Sequence, residues 1–343
     1  MRHSIVSALA AATMLAATGT AAADSLVAPK SLAACFVPQT AATPMVTAKA
    51  KHGPYKIAFS NSYYGNNWRT EMLNIARAYV KQPAVAKYIS KFEIQNAGNN
   101  VAQQVAQIRQ MILSGYNAIV IVVVAFDNTV TTDKAININE DQAAMGRMWA
   151  QFLTKETGGK GKILMVRGLA GTTVDNDQGD GAMAVFKTSA GLTVKQVYGN
   201  WDVGVNQKVT ADALSTSHDV AGVWGTEGAT GALQAFLQVK AKLVPMTSES
   251  DNGFMKLAVA HHVPALVIGQ SPALAAAAIR AAIAALDGQS LPRTANIPLN
   301  PVTTAQMKAG VNYFPKLPNS FVTDIDIPQC GVKIPVGAVV HGS

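Results

Sequence analysis

A two-lobed α/β protein built on parallel sheets is what the sequence predicts, and three features predict it. Short apolar strands alternate with amphipathic helices along most of the chain, the pattern of helices packed on both faces of a parallel sheet. One strand, Ala118-Ile119-Val120-Ile121-Val122-Val123-Val124-Ala125-Phe126, is an unbroken apolar run that stops on Asp127-Asn128-Thr129. A doubly buried strand ends this way where its carboxyl end meets a cleft. Of the 343 residues, about 320 remain once an N-terminal signal is set aside, enough for two domains at roughly 100 to 200 residues each.

The signal is read from Arg2 and His3, the apolar run Ile5 to Ala17, and Ala21-Ala22-Ala23 just before Asp24. These are the parts of a cleavable secretory peptide with an A-x-A site. The run is too short to span a bilayer, and nothing later reaches the roughly 18 apolar residues a membrane helix needs. Residues 1–23 are therefore expected to be removed and the mature chain to be exported to a periplasm, not membrane-embedded. Leu32-Ala33-Ala34-Cys35 resembles a lipobox, but Asp24 and Lys30 separate that cysteine from the apolar run, which a lipid anchor must directly follow. Residues 24–54 read as an N-terminal extension whose part from Pro38 to Pro54 is a polar tail.

Lys56 to Ser60 is the first predicted strand. A polar loop from Asn61 to Asn67, with Gly65 as its turn residue, leads to a helix on which Trp68, Met72, Ile75 and Tyr79 recur at the helical period. Phe92 to Ile94 is the next strand. Val101, Val105, Ile108 and Ile112 then form one face of a helix that Gly115 stops. After the Ala118 run, strands are predicted at Lys162 to Val166, Leu192 to Tyr198, Val220 to Trp224, Leu243 to Met246 and Ala265 to Ile268. Helices are predicted at Asp141 to Leu153, Gly179 to Phe186, Val205 to Ser215, Ala229 to Leu237, Gly253 to Ala260 and Pro272 to Leu286.

Composition removes several function classes. The formal charge is +8, yet charged residues make up 14% of the chain and are scattered, so no basic stripe marks a nucleic-acid footprint. Cys35 and Cys330 are candidates for one disulfide in an oxidising compartment, with two unpaired thiols as the alternative. Asp175-Asn176-Asp177-Gln178-Gly179-Asp180 has the look of a calcium loop but lacks Gly at its sixth position and an acid at its twelfth, where Phe186 stands, so loop capping is the role expected of it. His261 and His262 are adjacent and point apart, and His3, His52, His218 and His341 have no ligand spacing. No metal or cofactor is expected. Neither a G-x-S-x-G elbow nor a phosphate-cradling glycine loop occurs, so the chain offers no catalytic constellation.

Polar and aromatic residues recur just past the predicted strands: Tyr63, Tyr64, Asn66 and Asn67; Asp127 and Asn128; Asp175, Asn176 and Asp177; Trp201; Glu227; Glu249; Gln270. Any one of these could be a helix cap or turn former. Their coincidence at the carboxyl ends of parallel strands points to one ligand in one crevice. Carboxylates and amides offer paired donors and acceptors to vicinal hydroxyls, and Trp201 or a tyrosine offers a face for a sugar ring.

At these residues the chain resembles the periplasmic sugar-binding proteins of bacterial ABC transporters, of the ribose- and galactose-binding type. The resemblance rests on Ile57 to Trp68, Gln103 to Ile108, Ala125 to Thr129, Gly222 to Gly225, Asn252-Gly253-Phe254 and Ile268-Gly269-Gln270, and covers almost the whole mature chain. It implies two Rossmann-like lobes joined by three crossing strands and closing on ligand by hinge motion. The lobes would be residues 55–140 with 271–293, and 141–270 with 294–343. It implies ligand contacts from Tyr63, Asn66 and Asn67 in the first loop, from Asp127, and from Trp201, Glu227, Glu249 and Gln270. Asn128 and Asn176 stand where ribose binders carry arginine, which exchanges charge-assisted clamps for neutral contacts.

The family runs a strand, loop, helix and further strand between the equivalents of Ile119 and Ala125, where nothing intervenes here. Parallel neighbours need a crossover of roughly a dozen residues. The first lobe is therefore expected to lack one helix-strand unit, with a loss of stability. The function expected is capture of a sugar or polyol by a monomer that docks on a membrane permease. Presentation to a chemoreceptor or sensor kinase is the alternative, and an exported α/β enzyme is disfavoured by the absent nucleophile. The export signal stands where a regulator of this shape would carry a helix-turn-helix. The sequence does not name the sugar.

Overall fold

The computed structural model describes residues 26–62, 67–122, 135–217 and 219–342. The predicted signal peptide and the end of the long apolar run lie outside the described residues. The chain opens with α1 (Pro29–Cys35), begun by proline, the residue whose missing N–H costs a helix start nothing. Then come β1 (Val37–Pro38), β2 (Met45–Thr47) and β3 (Tyr55–Asn61), which is buried at every position but Lys56. After it stand α2 (Asn67–Lys81), α3 (Pro83–Ala86), β4 (Ile89–Asn96), α4 (Val101–Leu113), β5 (Ala118–Val122) and β6 (Asn137–Asn139).

The second half begins with α5 (Gln142–Glu156), β7 (Lys160–Arg167), α6 (Thr173–Phe186), β8 (Gly191–Tyr198) and α7 (Val203–Thr216). It continues with β9 (Val220–Gly225), α8 (Ala229–Gln238), β10 (Met246–Ser248), α9 (Asn252–Ala260) and β11 (Ala265–Val267). The chain closes with α10 (Leu274–Leu286), β12 (Ser290–Pro292), β13 (Thr294–Asn296), β14 (Val302–Thr303) and α11 (Val336–His341).

The second lobe is a six-stranded sheet in the order β14-β11-β10-β9-β7-β8, parallel except for β14. Successive residues of β7 feed opposite cores, as a strand's period of two requires. Ile163 and Met165 lie with Trp149, Trp224 and Ile268 on one face. Leu164 and Val166 lie with Val223, Phe236 and Phe254 on the other. Trp149 and Trp224 meet edge to face, with ring centroids 5.6 Å apart.

The strands of the first lobe fall into a parallel set, β4-β3-β5, and a set β1-β13-β6. Both β5 and β6 pack on α10, yet among the described residues they are not paired with each other. They line a cavity of about 720 Å³ together with Val105 and Ile108 of α4 and Ala278 and Ala282 of α10. This break falls where the sequence predicts a missing helix-strand unit. It also explains a departure from expectation on α4, whose predicted core face is left outside: Val101 is 67% and Ile112 62% exposed, while Gln104 and Met111 are buried.

Other expectations are corrected as well. The stretch Asp175 to Gly179 is not a loop but the first turns of α6, because Thr172 caps that helix and Asp175 stands at its third position, an arrangement that favours a helix start. The strand predicted from Leu243 begins at Met246, after Pro245, which has no N–H to give a ladder. The N-terminal extension is part of the fold: β2 pairs with β12, β1 with β13, and Leu32 and Phe36 are buried in the first core. Residues 294–343, expected in the second lobe, divide. Met307 packs in the second lobe, whereas Phe321, Ile325, Ile327, Val332 and Val339 lie in the first core with Ile57, Phe59 and Ile283. The chain therefore crosses between the cores a fourth time, between Met307 and Phe314, beyond the three crossings expected.

Cys35 and Cys330 form the disulfide. Arg280 on α10, itself buried, donates to Leu26 O, to Ser31 Oγ and to Cys330 O. One guanidinium thereby holds the segments on both sides of the bond.

Candidate functional site

The carboxyl ends of β7, β9, β10 and β11 lie side by side, so the residues that follow them share one rim. After β7, Arg167 grips Asp175 with two nitrogens, at 2.7 Å and 3.2 Å, and Gly168 N–H donates to the same carboxylate at 2.8 Å. After β9 the chain turns at Thr226, Glu227 and Gly228, the last at φ +84°, into α8. After β10 come Glu249, Ser250 and Asp251, and after β11 Gly269, Gln270 and Ser271.

Amides link these ends. Gln178 Nε2 donates to Gln142 Oε1 at 2.8 Å and to Glu249 Oε1 at 3.3 Å. Gln270 Nε2 reaches the same Gln142 oxygen at 3.0 Å. Two glycines make this possible by letting α5 and α6 approach closely. A Cβ on Gly146 would stand 1.9 Å from Gln178 O, and one on Gly181 would stand 2.1 Å from Ala143 O. The first lobe reaches the same place through Trp68, whose Nε1 donates to Gln270 O at 2.9 Å.

The electrostatics of the rim are set by burial. Desolvation, with the Asp251 charge beside it, pushes the Glu227 carboxyl up to about 8. Asp251 is pushed up to about 7 by burial, against the opposing effect of Gly228 N–H, which donates to it at 3.0 Å. Asp324, whose Cβ would lie 2.8 Å from a Cβ on Gly269, is likewise pushed up to about 7 by burial. Thr226 Oγ1, Ser248 Oγ, Ser250 Oγ and Gln178 Oε1 are buried with no hydrogen-bond partner among the described residues.

Of the residues predicted from sequence, Glu249 and Gln270 are brought together through Gln142 and Gln178, and Glu227 lies beside them against Asp251. Trp201 sits after β8 at φ +59°, with its ring against Gly168, where a Cβ would come within 2.1 Å of the indole nitrogen. Asn176 is exposed on α6. Asn67 is engaged elsewhere: its Nδ2 donates to Ser320 O at 3.2 Å and to Ser320 Oγ at 2.5 Å. Tyr63, Asn66, Asp127 and Asn128 lie outside the described residues. Asp175 was among the strand-end polar groups read from sequence, whereas Gln142, Gln178, Arg167 and Asp251 were missed as members of the rim. A helix begun at Thr172 would have put Asp175 and Gln178 on one face at i, i+3. Both are buried there while Asn176 and Asp177 are exposed.

Comparison with known proteins gives a consistent result. The model of the periplasmic binding protein domain matches residues 57–290. Among solved structures, an ABC transporter solute binding protein from Bradyrhizobium sp. BTAi1 with bound Bis-Tris superposes at TM-score 0.66 and 16% identity, over 84% of this chain and 93% of that one. An ABC transporter periplasmic solute binding protein from Actinobacillus succinogenes 130z with bound D-allose gives 0.63 at 19%, over 73% and 98%. The periplasmic component of the arabinose ABC transporter from Shewanella sp. ANA-3, bound to L-arabinofuranose, gives 0.62 at 21%, over 73% and 92%. No curated protein matches the chain. At these identities the superpositions speak to the fold.

Proposed function

The chain belongs to the periplasmic binding protein domain family, and on that premise we propose that it captures a sugar or polyol between its lobes for uptake by an ABC transporter. One observation carries the reading. Gln142 of α5 and Gln178 of α6 converge with Glu249, which follows β10, and Gln270, which follows β11, an array of amides and a carboxylate that offers donors and acceptors in the pairs vicinal hydroxyls require. Glu227 and Asp251 add carboxyl groups at the same rim, where the Arg167 guanidinium is held by Asp175. This favours a neutral, hydroxyl-rich ligand over an anionic one.

The mature chain is read as an exported monomer, cut after Ala23, that hands its ligand to a membrane permease and performs no chemistry on it. Among the described residues no helix is long and apolar enough to cross a membrane. The test is a thermal-shift screen of the mature protein against D-allose, D-ribose, L-arabinose, D-galactose, glycerol and myo-inositol. A ligand present at a hundred times its Kd adds about 2.7 kcal/mol to stability. A shift with at least one of them is expected, with the ligand recovered chemically unchanged. No shift with any sugar or polyol would overturn the reading.

A further inference from the structure

Asn319 and Ser320 form a turn closed by Phe321 N–H on Pro318 O at 3.2 Å, and residues 321–323 then run extended, with Val322 opposite Asp251 in an antiparallel bridge and hydrogen bonds going to both lobes. Gly253 N–H donates to Asn319 O at 2.9 Å, Asn252 N–H to Phe321 O at 3.0 Å and Thr323 N–H to Ser250 O at 2.9 Å, all at the start of α9. The intervening residues turn to α2. Ser320 receives the Asn67 amide, and Val322 N–H donates to the Glu71 carboxyl at 3.2 and 3.3 Å. A period of two is that of an extended strand, here with one lobe on each edge.

The two grips differ in composition. On the second lobe, Asn252 Nδ2 donates to the carbonyls of Phe314, Leu317 and Pro318 while its Oδ1 accepts from Phe314 N–H, and Lys256 Nζ adds a bond to Leu317 O. On the first lobe Phe321 packs in the core, and the polar grip is made by Asn67 and Glu71, neighbours at i, i+4 on the first turns of α2. The same turns hold the β11–α10 connection through Trp68 and Gln270 O. These connections are themselves joined: Ser271 N–H donates to Glu140 at 2.9 Å and Ser271 Oγ to Asp324 O at 2.6 Å.

We infer that Glu71 and Trp68 are positioning residues that couple the start of α2, and with it the strand end at Asn61, whose Oδ1 accepts from Arg69 Nη1 at 2.8 Å, to the interlobe connections, so that the lobes cannot part without releasing Val322 and Gln270 from α2. This rests on the reading that the lobes close on a ligand. Glu71 is 6% exposed, so its acceptor is not readily replaced by water.

The experiment compares Glu71→Leu with Glu71→Gln in the mature chain. In Glu71→Leu, amide exchange at Val322 should accelerate about tenfold or more, the equivalent of losing one buried hydrogen bond. Thr323, whose N–H goes to Ser250, should exchange at the parent rate. The ligand-free radius of gyration by small-angle scattering should increase. Glu71→Gln keeps an acceptor and should restore both. Unchanged exchange at Val322, or faster exchange with an unchanged radius, overturns the inference. Should Glu71→Leu fail to fold, Trp68→Phe, which removes the donor to Gln270, decides through the radius alone. A widened radius with no response to any sugar would leave the coupling and remove the sugar reading; sugar binding with an unchanged radius would do the reverse.

Discussion

Cys35 and Cys330 are bonded across a sequence separation of 295, with Cα atoms 4.5 Å apart and neither residue exposed to solvent. The bond joins the N-terminal extension to the segment that returns from the second lobe, and Arg280 anchors both to α10. Closing so long a loop restricts the unfolded chain, and the chain-entropy account puts the effect at about 6 kcal/mol. The reduced protein, or a Cys35→Ala/Cys330→Ala double variant, is expected to unfold at a clearly lower urea concentration than the oxidised one. Equal midpoints would show that the closure contributes nothing. Arg280→Met is expected to cost about 3 kcal/mol, because it leaves buried acceptors unsatisfied, and Arg280→Lys less.

Gly146→Ala probes the contact between α5 and α6. The added methyl meets the Gln178 backbone at 1.9 Å, and since it meets main chain, one helix must move. A loss of about 1–3 kcal/mol is expected from overpacking. Because Gln178 bridges Gln142 and Glu249, sugar affinity should fall by more than the melting temperature alone would suggest. An unchanged Kd in a folded Gly146→Ala protein would separate the helix contact from the site.

Stability should fall, not rise, between about pH 5 and pH 8. The Glu71 and Glu227 carboxyls are pushed up to about 8, and Asp251 and Asp324 to about 7, chiefly by burial. Their unfolded values lie near 4, so within this window the folded chain binds more protons than the unfolded one, and linkage gives stability a negative slope with pH. Glu93, held down to about 2 by Tyr116, Gln95 and Lys91, has the opposite effect, but its contribution is lost only as pH drops from about 4.5 towards 2. Urea midpoints at pH 5 and pH 8 measure the slope, and a higher midpoint at pH 8 would contradict it.

Ala278→Leu should stabilise the protein by about 1 kcal/mol, because the added carbons enter apolar space in place of water. Ala278, Ala282 and Ala285 face the cavity beside β5 and β6 from one side of α10. A lower melting temperature in Ala278→Leu would mean that this space is not available to an added side chain.

The second lobe was legible because its elements obey local rules one at a time. The apolar run Ile163 to Val166 is buried on both faces and reads as a parallel strand, and Asp141 and Asp202 announce α5 and α7 by capping them. Other features were hidden for physical reasons. The apolar face of α4 has the right period for a core face, but periodicity records what a helix could bury and not whether a partner is present. Asn67 has the residue type and place of a ligand contact, yet its amide is taken by Ser320, which lies 253 residues away in sequence. Glu249 and Gln270 were legible as strand-end polar groups. Gln142 and Gln178, which join them, were not, because each lies inside a helix and gains its role from the helix packed against it.

The separation of β5 from β6 bears on stiffness. A lobe with one continuous sheet turns as a single plate, and force applied at its rim reaches the far edge through the hydrogen-bond ladder. Among the described residues the ladder is interrupted between β5 and β6, and the two half-plates ride on α10, which is rich in alanine and fixed at its middle by Arg280 to the disulfide-tied termini. Any load placed on the first lobe is divided between rotating it and shearing one half against the other. The mechanical compliance of this protein is therefore set as much inside its first lobe as between its lobes.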